Sequence, residues 1–511
     1  MGDIEFVVVL LAAAAVLVRI ADAVHVPSPV VLVLGGVGIA LIPGLPRIPL
    51  PPDVIFLVFL PPLVYSAGWS SSPRALRAVA GPLAVLALAL VFATAATTAL
   101  VAHAVVPGLG WAPAAVLGAA LAPTDVVAAT AVFRRLGAPE RLRLLAEGES
   151  MLNDGTGLVI YGIAVGAATG GGLSAGGAVL EFLGNSIGGA VVGLAVAWLE
   201  LAIIRRQSDV ALVVLITVLG AYVAYIGAEE LHASGVLAAV VASLYVSWHA
   251  PRAFDADTRL TATSFWRVLV FGLEVTLFVL LGLQLPQIVD ELQHTGLSEA
   301  DVVTAAAAIA IATLALRMVF AFAMGSLAGE TAGERVALGW SGMRGAISLA
   351  AALGVPLAVE SRPTIILIAF GVILLTLIGQ GLTLPLVLRA LRVEEPRRWS
   401  DEEAIARMEA AQAALDRLDE LEDEGVPEER LRRLRDLYRT RFRVCQAVLD
   451  GEDPETAERS QRLADYGRLR RELIRVERET LLDLRAEGRL RQATMRQIER
   501  DLDLEEARLR A

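Results

Sequence analysis

Residues 119–127 read Ala119-Ala120-Leu121-Ala122-Pro123-Thr124-Asp125-Val126-Val127, an apolar run broken by a proline and carrying a carboxylate. Proline removes a backbone donor and frees a carbonyl of the preceding turn, so a helix through this stretch is interrupted. A second interrupted run is Gly339-Trp340-Ser341-Gly342-Met343-Arg344-Gly345-Ala346, in which three glycines surround an arginine. Both breaks lie within long apolar segments. Irregular backbone at membrane depth survives only where it is buried in protein or lines a cavity.

Working outward, about thirteen runs are long and apolar enough to span a bilayer. Their approximate extents are 4–24, 29–46, 52–69, 79–106, 112–133, 147–169, 178–204, 210–229, 233–248, 266–286, 301–327, 335–359 and 363–391. The first is read as a retained helix rather than a signal peptide, because Asp3 and Glu5 stand where positive charge is needed. The two breaks fall in the fifth and twelfth runs. Runs 1–6 and 8–13, with the seventh between them, then place the breaks at matching positions of an inverted repeat. Paired interruptions of this kind are a sequence pointer to a transporter's binding site.

Composition sharpens the division. The chain has 511 residues, 56% hydrophobic and 19% charged, but that charge is an average over unlike regions. Residues 1–392 carry 19 arginines and 24 acidic side chains, whereas residues 393–511 carry 25 and 31. A transmembrane domain over 1–392 and a charged, helical cytoplasmic domain over 393–511 are expected. One cysteine excludes a disulfide scaffold and a cysteine-ligated metal centre. The net charge of −11 argues against nucleic acid as a partner. With scattered histidines and no nucleotide-hydrolysis motif, neither an enzyme nor a cofactor is expected.

The arginines orient the bundle. With thirteen spans and a cytoplasmic C-terminus, the N-terminus lies outside, and the inner loops hold Arg74, Arg77, Arg134, Arg135, Arg141, Arg143, Arg205, Arg206, Arg252, Arg259 and Arg335. The outer loops hold only Arg47 and Arg362 and carry acidic clusters instead. That is the positive-inside pattern of a multi-pass protein of the cell (inner, plasma) membrane.

Ionisable residues at membrane depth are costly and therefore informative. They are Asp125, Glu149, Asp154, Glu274, Arg317 and Arg344, while Arg19, Glu181 and Glu200 lie nearer span ends and can reach the interface. The sixth span opens on Glu147-Gly148-Glu149-Ser150-Met151-Leu152-Asn153-Asp154. Ser150 and Asp154, four apart, share a helix face and can both offer oxygen to a hard cation. A carboxylate held away from bulk water can carry a proton near neutral pH and release it when a cation arrives. One such group, exposed alternately to either side, is the minimum machine for antiport.

These residues resemble a known family. Gly148-Glu149-Ser150-Met151-Leu152-Asn153-Asp154, Pro123-Thr124-Asp125 and Gly342-Met343-Arg344-Gly345 are similar to motifs of the monovalent cation/proton antiporters, in the bacterial sodium/proton exchanger branch marked by Asn-Asp. Phe59-Leu60-Pro61-Pro62-Leu63 and Phe278-Val279-Leu280-Leu281-Gly282-Leu283-Gln284-Leu285 are also similar to segments of bacterial members. The resemblance covers nearly all of 1–392. It implies an all-α antiporter fold with two crossed, broken helices, and a homodimer in the membrane lipid working by an elevator-like movement. It further implies that Asp154 is the alternating carrier of H⁺ and of Na⁺ (or K⁺ or Li⁺), with Asn153 beside it and electroneutral exchange. Thr124 and Ser150 would supply ligand oxygens, and Asp125 would balance the half-helix N-termini. Glu149 and Arg344 would form the stabilising ion pair, with Arg317 a basic position in the preceding helix. Ser66 stands in the cation shell where some relatives place an acidic residue. In the tenth span the charges at Arg267 and Glu274 differ from those of many bacterial relatives. Glu274 is read as a structural partner of Arg317 or Arg344, with tuning of the cation site as the other reading.

In the tail, apolar residues recur every three or four positions: Ile405, Met408, Ala411, Leu415 and Leu418, then Leu431, Leu434, Tyr438, Phe442 and Cys445, with two further sets at 463–476 and 495–502. Four amphipathic helices follow, regulatory by position. The leading function is Na⁺/H⁺ antiport; the alternatives are K⁺/H⁺ antiport, a channel, or a transport-dead sensor signalling through the tail.

Overall fold

The described part of each apolar run is mainly helical in the computed structural model, which describes residues 3–24, 26–42, 55–71, 73–170, 175–292, 296–327, 329–393 and 401–450 and, beyond them, 473–477, 479–481, 498 and 502. The described residues contain no strand. Among the described residues, seven helices are long and apolar enough to cross a membrane: Ala80–Val105, Glu140–Ala168, Gly176–Ile204, Val210–Glu230, Ala256–Asp290, Glu299–Ser326 and Arg362–Leu391. Ser28–Ala40, Phe56–Ser70 and Trp111–Ala120 are shorter apolar helices. The chain is a multi-pass, all-helical membrane protein.

Two runs do not form single helices. The fifth is divided into Trp111–Ala120 and Val127–Leu136, the twelfth into Ala332–Trp340 and Ala346–Leu353. The interruptions fall on Pro123 and on the Gly342–Gly345 stretch, where the sequence places them. Other boundaries move outward. The helix expected from 266 begins at Ala256, because Asp255 caps it by accepting from Thr258 N at 2.8 Å, which holds two further polar turns in helix. Local chemistry also explains an irregularity before Leu60–Ser70. Pro61 and Pro62 cannot donate, a π-helical turn covers Ile55–Phe59, and the Tyr222 hydroxyl donates to the Val58 carbonyl at 3.1 Å.

Packing places the breaks at the centre. Trp111–Ala120 lies against Leu90–Val105 and Glu140–Ala168, while Arg362–Leu391 contacts Ala346–Leu353 and Val127–Leu136. Ala256–Leu283 packs on Ser28–Ala40, Leu60–Ser70 and Val210–Glu230. Gly157 lets the Glu140–Ala168 helix close onto the Pro123 ring, which a methyl group there would overlap.

The chain separates into two compact units, Met1–Glu395 and Pro396–Ala511. In the second, Asp401–Asp423 and Glu428–Leu449 form an antiparallel pair around Gly425, whose φ of +91° suits glycine. The buried stripe is Ala404, Ala411 and Leu418 facing Leu431 and Cys445. Ile405 and Leu434, expected on that stripe, are exposed: the repeat is seven residues, the period of a two-helix seam. Most of the third and fourth periodic sets lies outside the described residues.

Outside the spans, Glu330 is buried in the link between Glu299–Leu327 and Ala332–Trp340, 3.6 Å from Arg141 Nε at the start of Glu140–Ala168. Burial and then neighbouring Glu334 push its carboxyl up to about 7, against the pull of Arg141 and Arg335. A carboxyl raised from 4.5 keeps its proton in the folded state after the unfolded chain has lost it. Its stabilising contribution is complete below pH 4.5 and disappears as pH rises through about 7. The melting temperature of the detergent-solubilised protein should therefore fall between pH 5 and pH 8 more steeply than that of Glu330→Gln; parallel curves would remove Glu330 from the pH response.

Candidate functional site

The two breaks cross, and the crossing is held by charge. Asp125 N donates to the Met343 carbonyl at 2.8 Å, joining one break to the other. The Asp125 carboxylate accepts from Val127 N at 2.9 Å and from Ala346 N, the first residues of the two outgoing half-helices. Helix N-termini carry partial positive charge and unpaired N–H groups, so one carboxylate closes both.

The opposite ends are closed by arginines. Arg344 Nη1 donates to the carbonyls of Ala122 and Pro123 at 3.3 and 3.2 Å, beyond the end of Trp111–Ala120. Ser348 Oγ donates to Pro123 at 3.3 Å. Arg317 Nε donates to Leu338 in the last turn of Ala332–Trp340, at 3.3 Å. A cation at a helix C-terminus is favoured for the same reason as an anion at an N-terminus. Glycine makes the approach possible: a methyl group at 345 would overlap the Asp125 carboxylate, and one at 342 would overlap the Arg317 guanidinium.

The sequence pairs Glu149 with Arg344. The structure corrects this: the bidentate partner of Glu149 is Arg317, through Nη1 to Oε1 and Nη2 to Oε2, the latter at 2.9 Å. Arg344 is drawn instead to the carbonyls freed at Pro123. Around Glu149 the polar groups interlock. Thr124 Oγ1 donates to Glu149 Oε1 at 3.3 Å and accepts from Asn153 Nδ2 at 2.6 Å, and Ser150 Oγ donates to the Thr124 carbonyl at 3.0 Å. Asn153 Oδ1 is buried and has no hydrogen-bond partner among the described residues.

Beside the crossing lies a cavity of about 580 Å³, lined by Ser66, Asp125, Ser150, Asp154 and Glu274. Thr124 and Asn153, expected near the cation, do not line it; they lie behind its wall. Its mouth carries Arg267 and the Arg134–Glu147 ion pair, 2.9 Å apart, with Arg134 well exposed. Ser66 donates to the Leu63 carbonyl at 2.7 Å and keeps its lone pairs for the cavity. Asp154 is 8% exposed and forms no hydrogen bond or ion pair among the described residues. Glu274 makes no ion pair with Arg317 or Arg344, contrary to the expected pairing, since both arginines are engaged at the crossing.

One network escaped the sequence reading. Glu200, expected to reach the interface, is buried and accepts from the Tyr65 hydroxyl at 2.7 Å. Gly220 leaves the room for its carboxylate. Tyr65 stacks on Trp266, a cavity-lining residue whose indole N–H donates to Thr217 at 3.1 Å. The signal was Tyr65 beside Ser66, but nothing in the chain's order brings position 200 to it.

Comparison with known proteins follows this geometry. The profile described as "Sodium/hydrogen exchanger, transmembrane" matches residues 7–390. An uncharacterized Na⁺/H⁺ exchanger of Mycobacterium tuberculosis is 32% identical, the alignment covering 98% of this chain and 95% of that protein. The low-affinity Na⁺/H⁺ antiporter NhaS1 of Synechocystis is 31% identical over 92% of this chain and 90% of its own length. A sodium, potassium, lithium and rubidium/H⁺ antiporter of Bacillus pumilus is 30% identical over 71% of this chain and 58% of that protein. Among solved structures, the sodium/proton antiporter MjNhaP1 of Methanocaldococcus jannaschii superposes with a TM-score of 0.61 at 21% identity, covering 74% of this chain and 98% of that one. It shares the fold.

Removing one member of a buried ion pair leaves an uncompensated charge and costs about 3–5 kcal/mol. Glu149→Gln and Arg317→Met should each destabilise the protein on that scale in denaturation measured in detergent. A double-mutant cycle should give strong coupling between positions 149 and 317 and weak coupling between 149 and 344; the reverse order would return the pairing to Arg344. Gly345→Ala should abolish function while the charges remain, because its methyl group displaces Asp125; wild-type activity in that variant would show that the close approach is not required.

Proposed function

The chain belongs to the sodium/hydrogen exchanger family, a family of membrane transporters, and from that premise we propose that it exchanges Na⁺ for H⁺ with Asp154 as the shared carrier. One observation carries this reading. The other buried charges near the crossing are committed: Asp125 to two N–H groups, Glu149 to Arg317 and Arg344 to carbonyls. Asp154 lines the cavity as a buried carboxylate with no described partner, one helical turn from the Ser150 hydroxyl. An unpaired carboxylate in such a place is costly as an anion, and either a proton or a cation relieves it. Two ligands that relieve the same charge exclude each other, and this competition couples their movements.

Ser150 and Ser66 would add hydroxyl oxygens around the cation, with Asn153 and Thr124 holding the wall behind them. With one carboxylate alternating between H⁺ and Na⁺, exchange is one for one and electroneutral. The mouth bearing Arg134 and Arg267 lies on the arginine-rich side, which the positive-inside rule assigns to the cytoplasm, with the N-terminus outside and the tail inside. The protein would then work in the cell membrane, as a homodimer, in pH and sodium homeostasis. A second reading, K⁺/H⁺ or Li⁺/H⁺ exchange, draws on the B. pumilus relative, whose name includes both ions.

Proteoliposomes loaded with a pH dye test this directly. Adding Na⁺ should dissipate an imposed pH gradient, Asp154→Asn should abolish the response, and clamping the membrane potential should leave the rate unchanged. Recovery with K⁺ but not Na⁺ would select the second reading, and full activity in Asp154→Asn would overturn the carrier assignment.

A further inference from the structure

Glu274 is the charge that the crossing does not use. It lies on the Ala256–Leu283 helix, which packs against Ser28–Ala40, Leu60–Ser70 and Val210–Glu230 and also meets the half-helix Ala346–Leu353. From that wall it lines the same cavity of about 580 Å³ as Asp125, Ser150 and Asp154. No hydrogen bond or ion pair engages it among the described residues, and the charges that act on it most strongly are Asp125, which repels it, and Arg134, which attracts it.

Four carboxylates therefore line one space: Asp125, Asp154 and Glu274, with Glu147 at the mouth in its ion pair with Arg134. Asp125 is engaged by the two half-helix N-termini, which leaves Asp154 and Glu274 unneutralised within the low-dielectric interior. The positive groups available to them lie at the mouth. Arg134 is paired with Glu147, and Arg267 stands seven residues before Glu274, two helical turns toward the opening and on the same face. A monovalent cation entering past these arginines meets Glu274 from the Ala256–Leu283 helix and Asp154 with Ser150 from the Glu140–Ala168 helix. Unlike charges attract several-fold more strongly here than in water, so a second carboxylate in this space raises the occupancy of the cavity by a cation.

We propose that Glu274 is a further cation-binding residue of this cavity, a carboxylate from a different helix than Asp154 that sets the affinity for the incoming monovalent cation. The assignment rests on the antiport reading for its place in transport, but its binding part stands on the cavity alone. Glu274 also accounts for what Ser66 lacks: the cavity draws its additional negative charge from the Ala256–Leu283 helix instead of from Leu60–Ser70.

The test uses the full-length chain. In dye-loaded proteoliposomes, Glu274→Gln should raise the half-saturating Na⁺ concentration roughly tenfold, with the rate at saturating Na⁺ within about twofold of wild type. Glu274→Asp, which keeps the charge, should fall between the two. In detergent, NaCl against choline chloride should raise the melting temperature of the wild type, and Glu274→Gln should require correspondingly more Na⁺ for half the shift. Unchanged half-saturation in both assays overturns the proposal. So does an equal defect in Glu274→Asp and Glu274→Gln with a lowered melting temperature in choline, the signature of a packing role. Should Glu274→Gln fail to fold, the Na⁺ dependence of Glu274→Asp decides by the same criterion. A wild-type protein that binds Na⁺ in detergent but moves no protons would sink the antiport reading and leave the Glu274 assignment to the binding data.

Discussion

Two helices broken inside a membrane expose four half-helix ends to a medium that cannot solvate them, and the structure depends on how those ends are closed. Asp125 takes both N-termini, Arg344 takes the freed carbonyls at Ala122 and Pro123, and Arg317 takes the carbonyl of Leu338. Placing an arginine at the centre of a membrane helix costs about 2.5–3.5 kcal/mol even on the mildest scale. Two arginines are tolerable here because each meets the partial negative charge of carbonyls at a broken helix end. The opposing costs cancel only while the four ends stay together.

That mutual dependence explains the small residues around the crossing. Gly342 and Gly345 admit the guanidinium and the carboxylate, and Gly157 admits Pro123. It also explains the role of Glu149. With Arg317 reaching a single carbonyl through Nε, its remaining charge is taken up by Glu149, which in turn fixes Thr124 and through it Asn153. The polar wall behind the cavity is thus set by the same ion pair that stabilises the break. Asp154, one helical turn beyond Ser150, is left facing the cavity without such support.

The positions of the breaks, the helical class and the identity of the buried charges were legible because each has a local cause. Proline lacks a donor, glycines weaken helix, and a charge within twenty apolar residues stands out at any register. The partners of those charges were not legible. Glu149 met Arg317 rather than Arg344, and Glu200 met Tyr65 rather than the interface. Nor was the exclusion of Thr124 and Asn153 from the cavity surface visible, since motif proximity does not say which face of a crossing a hydroxyl occupies. In the tail the apolar period was visible, but Ile405, read as part of the stripe, is exposed, and packing chose Ala404 instead.

By itself the amino-acid sequence determined a polytopic helical protein with two interrupted spans, a charged residue within each functional motif and an arginine-rich side, because hydropathy, helix breaking and charge cost act within a few residues. The tertiary structure alone decided which arginine answers which carboxylate, that Asp125 serves two helices at once, and that Asp154 and Glu274 line one cavity from different helices. Those outcomes join residues more than a hundred positions apart. They follow from the geometry of the crossing, where distance and direction choose among partners that carry the same charge.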